Sequence, residues 1–367
     1  MANKKNVLVC PLDWGLGHAS RCVPIIQAFI NADANVIIAA DNRPLAFLRK
    51  EFPNLQWITL PAYQISYQRK GSLPLKLLGI LPQFLKSIFT EHKLLDKIIN
   101  EYKIDIVVSD NRFGLWNKKV KSIFMTHQVL IKSPIKLAFF DKMLFYINKA
   151  FIKNYNECWI PDFEGSINLS GDLSHKYKLP VDTYFIEPLS RFKNSEQIIE
   201  NKNITLLVLL SGPEPQRTIF EEIILKQLEN KTIKTIIVQG IPEKEEVKTI
   251  SEKLTIYSHL DTDTLQRFIQ QSNIILCRSG YSTIMDLAVF GKKAILVPTP
   301  GQTEQEHLAS YYKEKKYFYT VSQKLFNLDE ALVQSEYYTG IQLKIDGNIL
   351  KEKVETLLKN HSHCNIL

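Results

Sequence analysis

The stretch Asn273 to Gly301, NIILCRSGYSTIMDLAVFGKKAILVPTPG, decides the fold class. An apolar run, NIILCRS, leads to Gly280, a helical segment with hydroxyls in its first turn follows, and a second apolar run, KAILVP, stops at Pro298, Pro300 and Gly301. Strands that are apolar throughout, separated by segments of helical length, belong to parallel sheets covered on both faces. The same alternation runs outward along the chain. NVLVCPL (6–12), NVIIAA (35–40), QWITL (56–60), IDIVVS (104–109), SIFMTH (122–127) and ECWIP (157–161) form one series. ITLLVLL (204–210), KTIIVQG (234–240), LTIYSHL (254–260), NIILCRS (273–279) and KAILVP (293–298) form a second. The expected fold class is α/β, doubly wound.

At roughly 150 residues per domain, a chain of 367 residues should make two. Between the two series, KYKLPVDTYFIEPLSRFKNSEQIIENKN (176–203) turns polar and loses any helical or strand period. This places an expected linker at 191–202, a first domain over 1–190 and a second over 203–367. Both halves open as strand, glycine-bearing turn and helix: NVLVCPLDWGLGHASRCVPIIQAFI and ITLLVLLSGPEPQRTIFEEIILKQL. Two Rossmann-like halves facing across a cleft would put ligands at the carboxyl ends of their strands. GNILKEKVETLLKNH (347–361) has amphipathic helical spacing and is free to pack back on the first half.

Composition narrows the partners. With 45% hydrophobic and 23% charged residues the chain reads as a soluble globular protein. Its longest apolar runs fall far short of the roughly 20 residues of a membrane-spanning helix, and MANKKNVLVC lacks the apolar core of a signal peptide, so a cytoplasmic location is expected. Cys10, Cys22, Cys158, Cys277 and Cys364 are scattered without CxxC or Cys/His ligand spacing, which supports neither a disulfide framework nor a zinc site. The net charge of +8 favours anionic partners. With no zinc-finger, RRM or KH signature and the lysines dispersed, nucleic acid is set aside in favour of phosphorylated small molecules and acidic lipid headgroups.

Four stretches could carry chemistry. In DWGLGHASR (13–21), Gly15 and Gly17 permit a tight turn and close backbone approach, and place His18 at the start of a helix, where it could take a proton from an attacking hydroxyl. In LLSGPEPQR (209–217), the turn at Ser211 and Gly212 and the helix that follows suit a diphosphate, with Arg217 as counter-charge. In CRSGYSTIMD (277–286), Arg278, Ser279, Gly280, Ser282 and Thr283 surround another helix N-terminus suited to an anion, and Asp286 could accept hydrogen bonds from a ribose diol. In PTPGQTEQEH (298–307), Thr303 and Glu306 make a capping box, while Gln302, Glu304, Gln305 and His307 suit sugar hydroxyls. DTD (261–263) reads as a helix cap and not as a metal site.

Taken together, these stretches resemble the MurG-type transferases, UDP-GlcNAc-dependent enzymes of GT-B fold in glycosyltransferase family 28. The likeness is best over 273–310, where CRSGYSTIMDLAVFGKKAILVPTPGQTEQEH is similar to the family's donor-binding core. The resemblance implies that Asp286 holds the uridine ribose and that Gln305, with Glu304 or Glu306, reads the donor sugar. GLGHASR resembles the family's GxGGH loop, making His18 the histidine near the reaction centre. MTHQ, with His127 and Gln128, resembles its second acceptor-side motif. Asp110 and Arg112 are further acceptor candidates, as is His175. Two departures stand out. SGPEPQR replaces a glycine-rich phosphate turn, and Glu306 replaces the second of two paired glutamines.

The implied activity is inverting, metal-independent transfer of a sugar from a UDP-sugar to a hydroxyl acceptor, lipid-linked or part of a cell-envelope glycan. GLGHASRC also resembles the loop of PseG-type UDP-sugar hydrolases, the alternative, and a non-catalytic sugar-nucleotide sensor or membrane-associated scaffold is a further one. YQRKGSLPLKLLGILPQFLKSIF (67–89), basic and apolar, fits either an anionic membrane surface or a helical pair in the core.

Overall fold

In the computed structural model, which describes residues 4–61, 73–135, 137–192, 203–341, 343, 345 and 347–362, each of the apolar runs named above overlaps a strand. The first half runs β1 (Asn6–Cys10), α1 (Leu16–Asn31), β2 (Asn35–Ala40), α2 (Asn42–Glu51), β3 (Gln56–Thr59), α3 (Leu73–Tyr102), β4 (Ile106–Asp110), β5 (Lys121–Met125), α4 (Ala138–Ile152), β6 (Glu157–Ile160), α5 (Asp172–His175) and β7 (Asp182–Phe185). Its sheet has the order β3-β2-β1-β4-β5-β6-β7, parallel throughout.

The second half follows as β8 (Ile204–Leu209), α6 (Gln216–Leu228), β9 (Thr235–Val238), β10 (Val247–Ser251), β11 (Leu254–Tyr257), α7 (Thr262–Gln271), β12 (Ser272–Cys277), α8 (Tyr281–Phe290), β13 (Ala294–Leu296), α9 (Thr303–Glu314), β14 (Tyr319–Thr320), α10 (Leu328–Ser335) and α11 (Asn348–Ser362). Its order is β10-β11-β9-β8-β12-β13-β14, parallel except for the β10–β11 hairpin. The fold is thus two doubly wound sheets of GT-B type.

Three strands escaped the apolar pattern for identifiable reasons. β7 lies in the earlier part of 176–203, before the polar, aperiodic part, at a sheet edge with alternating exposed and half-buried residues. β10 is exposed at all five positions and pairs only with β11, so it has no buried face to mark it. β14 is two residues long.

Parallel strands all deliver their carboxyl ends to one edge, and the strand order reverses between β1 and β4 in one sheet and between β8 and β12 in the other. Crevices form at such switch points. One hydrophobic cluster spans both halves, joining Val7, Ile25 and Phe29 of the first to Ile275, Ile284 and Leu296 of the second. Burying each such side chain contributes about 1.5–3 kcal/mol, so this cluster fixes how the two crevices face one another. α11 reaches across as well: Val354 and Leu357 join the cluster, Lys353 pairs with Glu157 at 2.9 Å, and the Ile349 N–H donates to Glu187 at 3.2 Å.

The segment expected to be a linker, 191–202, lies outside the described residues from 193 onward, as does the start of the basic, apolar stretch, 67–72. Asp261 caps α7, accepting from the Thr264 N–H at 2.8 Å, as the DTD stretch suggested.

Candidate active site

At the first switch point, Gly15 takes φ 98° and starts α1, which places His18 beside the end of β4. His18 Nδ1 lies 2.9 Å from Asp110 Oδ2. Arg21, on the same face of α1 one turn later, donates from Nε to Asp110 Oδ2 at 2.9 Å and from Nη2 to Asp110 Oδ1. Arg21 Nη2 also lies 2.8 Å from His18 Nδ1. Two donors cannot share that contact, and charge decides between them. A hydrogen bond to a carboxylate is the stronger, and Arg21 already has one at each oxygen. We therefore assign the proton to His18 Nδ1, donating to Asp110, which leaves Nε2 with a free lone pair. Burial would raise the Asp110 carboxyl, but Arg21 and His18 outweigh it and hold it down at about 2.

The network continues into the second half. Arg21 Nη1 lies 3.0 Å from His127 Nδ1, and His127 Nε2 lies 2.7 Å from Glu304 Oε1 on α9. Arginine can only donate, so His127 carries its proton on Nε2 and donates it to Glu304. Burial holds His127 below the usual histidine range, although Glu304 opposes this. Its ring stacks on Tyr281 at 4.1 Å. Gln128 Nε2 donates to the other Glu304 oxygen. Glu304, expected to read the donor sugar, is thus held across the cleft by the residues expected to contact the acceptor.

Several candidates have structural positions instead. Arg112 is fully buried and donates to Glu91 at 2.6 Å and to the Pro61 carbonyl at 2.6 Å, tying α3 to the loop after β3. Asn111, at φ 56°, turns the chain between Asp110 and Arg112 and sends the two side chains to different partners. Arg278 is likewise buried and holds Val297, Gln216 and Gln323 together, with its guanidinium 4.1 Å over Phe220. Arg217 pairs with Glu214 at 2.6 Å and Glu221 at 2.9 Å, which neutralises the expected counter-charge. Glu214 also accepts from the N–H and hydroxyl of Thr218, so the N-terminus of α6 already carries a carboxylate. His175 bonds Asp162 at 3.3 Å and stacks on Phe185.

The second switch point offers α8 instead. Gly280 caps it without a side-chain bond, and Ser282 and Thr283 occupy its first turn. Ser282 Oγ donates to the Gly17 carbonyl at 2.8 Å, and a Cβ on Gly17 would stand 3.0 Å from that oxygen, so Gly17 meets the second half and not open acceptor space. Ser279 Oγ donates to the Gln305 carbonyl at 2.8 Å, and Gln305 Oε1 accepts from the Thr299 N–H at 2.8 Å. The capping box does not form. Glu306 does reach back, to the Gly301 N–H at 3.1 Å, but the Thr303 hydroxyl donates to the Lys132 carbonyl of the first half. Gln302 is exposed, as are Ser211 and Gly212 just beyond β8. Asp286 accepts from Ser190 Oγ at 2.6 Å, and burial pushes its carboxyl up to about 6.

Arg21, Thr299 and Tyr281 were not among the candidates. Arg21 had a signal, its spacing three residues beyond His18 on a helix.

A fold of two switch-point crevices, one holding a histidine–aspartate pair and the other a free helix N-terminus, is that of a GT-B glycosyltransferase, and the comparisons with known proteins agree. Residues 214–336 match the glycosyltransferase family 28 C-terminal domain. An uncharacterised glycosyltransferase of Methanosarcina acetivorans is 25% identical over 83% of this chain and 82% of its own. The UDP-N-acetylglucosamine--N-acetylmuramyl-(pentapeptide) pyrophosphoryl-undecaprenol N-acetylglucosamine transferase of a Sulfurihydrogenibium species is 28% identical over 46% of this chain and 49% of its own. The crystal structure of Acinetobacter baumannii MurG superposes with a TM-score of 0.51 at 12% identity, covering 98% of this chain and all of that one. The chain is a glycosyltransferase of GT-B fold that is similar to the MurG-type enzymes.

Proposed function

We propose that the chain moves a hexose from a UDP-sugar, with UDP-GlcNAc the first donor to try, to a hydroxyl of a lipid-linked cell-envelope acceptor, with inversion and without a metal. The observation that carries this is the His18–Asp110 pair beside the N-terminus of α8. The acceptor oxygen bonds to the anomeric carbon while its proton passes to His18 Nε2. The bond from that carbon to the β-phosphate oxygen breaks, and UDP leaves with the electron pair. Asp110 stabilises the imidazolium so formed, and the N–H groups opening α8 meet the charge on the phosphate. Asp286 takes the ribose diol, and Gln302, Gln305 and Glu306 line the sugar side.

The lipid part of the proposal rests on surface shape. α4 leaves Phe139, Met143, Tyr146 and Ile147 exposed at helical spacing on one face, with Phe139 71% exposed. Lys142 and Lys153 are exposed beside it. Neighbouring α3 adds exposed Leu85 and Phe89, with Lys93 4.5 Å over the Phe89 ring. An apolar helix face rimmed by lysines suits an anionic bilayer surface. No helix among the described residues is long and apolar enough to cross a membrane.

UDP release from a panel of UDP-sugars, in EDTA, with and without a membrane-lipid extract, tests the whole. Release that depends on the extract is expected. Equal release without it would make the chain a hydrolase, and no release would rule out a UDP-sugar donor.

A further inference from the structure

The turn after β13 holds a polar atom that the fold does not use. Thr299 is only 4% exposed. Its N–H donates to Gln305 Oε1 at 2.8 Å and its carbonyl accepts from the Gln302 N–H at 3.0 Å, so its backbone is fixed from both sides. Its hydroxyl, Oγ1, is buried and has no hydrogen-bond partner among the described residues. Buried hydroxyls are nearly always bonded, and one left over in a rigid frame calls for an external partner.

Across from it stands Gly212. A Cβ built there would meet Thr299 Oγ1 at 3.7 Å and, the chain neighbours Ser211 and Pro213 aside, no other heavy atom within 4 Å, so the hydroxyl lies just beneath the exposed backbone of Gly212 over the ends of β8 and β13, the two strands that flank β12. The turn on the Gly212 side is poor in donors. Pro213 and Pro215 have no N–H, and the Glu214 carboxylate already caps α6. An anion placed against Gly212 therefore gains little from that loop and needs a donor from elsewhere.

We propose that Thr299 is a donor-site residue whose hydroxyl donates to a phosphate oxygen of the bound nucleoside diphosphate sugar, over the backbone of Gly212. The inference rests on the nucleotide-sugar reading of the same site. It replaces the expected contribution of the α6 N-terminus and Arg217 with a hydroxyl from the β13 turn.

Thr299→Val removes the hydroxyl at nearly constant shape, and Thr299→Ser keeps it. Melting temperature is read without ligand and against UDP concentration for all three proteins. Thr299→Val should melt unliganded at or above the wild-type temperature, because it deletes an unpaired buried hydroxyl, and should bind UDP roughly ten- to a hundredfold more weakly, as for a lost hydrogen bond to a charged group. Thr299→Ser should bind as wild type does. UDP affinity unchanged in Thr299→Val overturns the inference alone. A lowered unliganded melting temperature, or failure to fold, overturns it in favour of a structural hydroxyl. A wild-type protein that shows no shift with UDP overturns the nucleotide-sugar reading and this inference with it.

Discussion

Replacing Asp110 with asparagine keeps the shape of the side chain and removes the one negative charge between Arg21 and His18. Two consequences can be sized. The carboxyl is held at about 2 in the fold against 3.8 ordinarily, which at 1.36 kcal/mol per pH unit is worth about 2 kcal/mol of stability. Arg21, 2% exposed, is then left as a buried cation without its anion, which raises the loss to about 3–5 kcal/mol. Because the folded value is depressed, this contribution is present above pH 4 and disappears as pH falls toward 2, where the carboxylate protonates in both states. The stability difference between wild type and variant, read from urea titrations, should be flat from pH 5 to 7 and shrink below 4.

The catalytic consequence is separate. Without Asp110, His18 loses the acceptor that fixes its tautomer and the charge that stabilises its protonated form, so kcat should fall by about 10²–10⁴. The assay is UDP release at saturating donor, at a temperature where circular dichroism shows the variant folded. If Asp110 acts only through His18, then His18→Ala with Asp110→Asn should be no slower than His18→Ala alone. A double variant in which the two losses multiply would refute the assignment, as would an Asp110→Asn protein with wild-type kcat.

Three further outcomes follow from the same structure. Asp286 has a raised folded value of about 6, so it destabilises the fold as pH rises from 4 to 6; the stability of wild type relative to Asp286→Asn should fall by about 3 kcal/mol over that range, measured in urea. Arg278→Met leaves the Val297, Gln216 and Gln323 oxygens without their donor and should cost about 3 kcal/mol in chemical denaturation; a loss of UDP affinity with full stability would return Arg278 to the donor site. Phe139→Glu and Tyr146→Glu, each removing an apolar side chain worth about 1.5–3 kcal/mol when buried in a bilayer, should each weaken cosedimentation with anionic vesicles roughly tenfold or more while the melting temperature stays constant.

The parts of the fold that bury apolar surface were legible, because burial leaves a pattern in the chain. β10 was not, since all five of its residues face solvent and only its pairing with β11 makes it a strand. In the site, His18 could be read from the glycines before it, and Arg21 from its spacing. The role of Asp110 could not. It depends on β4 lying next to β1, an adjacency made by the crossover through α3 and invisible to any local pattern.

The polar run after β13 shows a different limit. Read as sequence, Gln302, Glu304, Gln305 and Glu306 all suit a sugar equally well, because composition cannot say which groups satisfy one another. The fold does so pair by pair: Glu304 is taken by His127 and Gln128, Gln305 by Thr299, and Glu306 by Gly301. Each pairing lowers the need of that group for a ligand, since a buried donor or acceptor gains most from a partner it otherwise lacks. The unpaired hydroxyl in this turn belongs to Thr299, a residue without any mark in the sequence. What identifies it is its exclusion from a network that its own backbone helps to build.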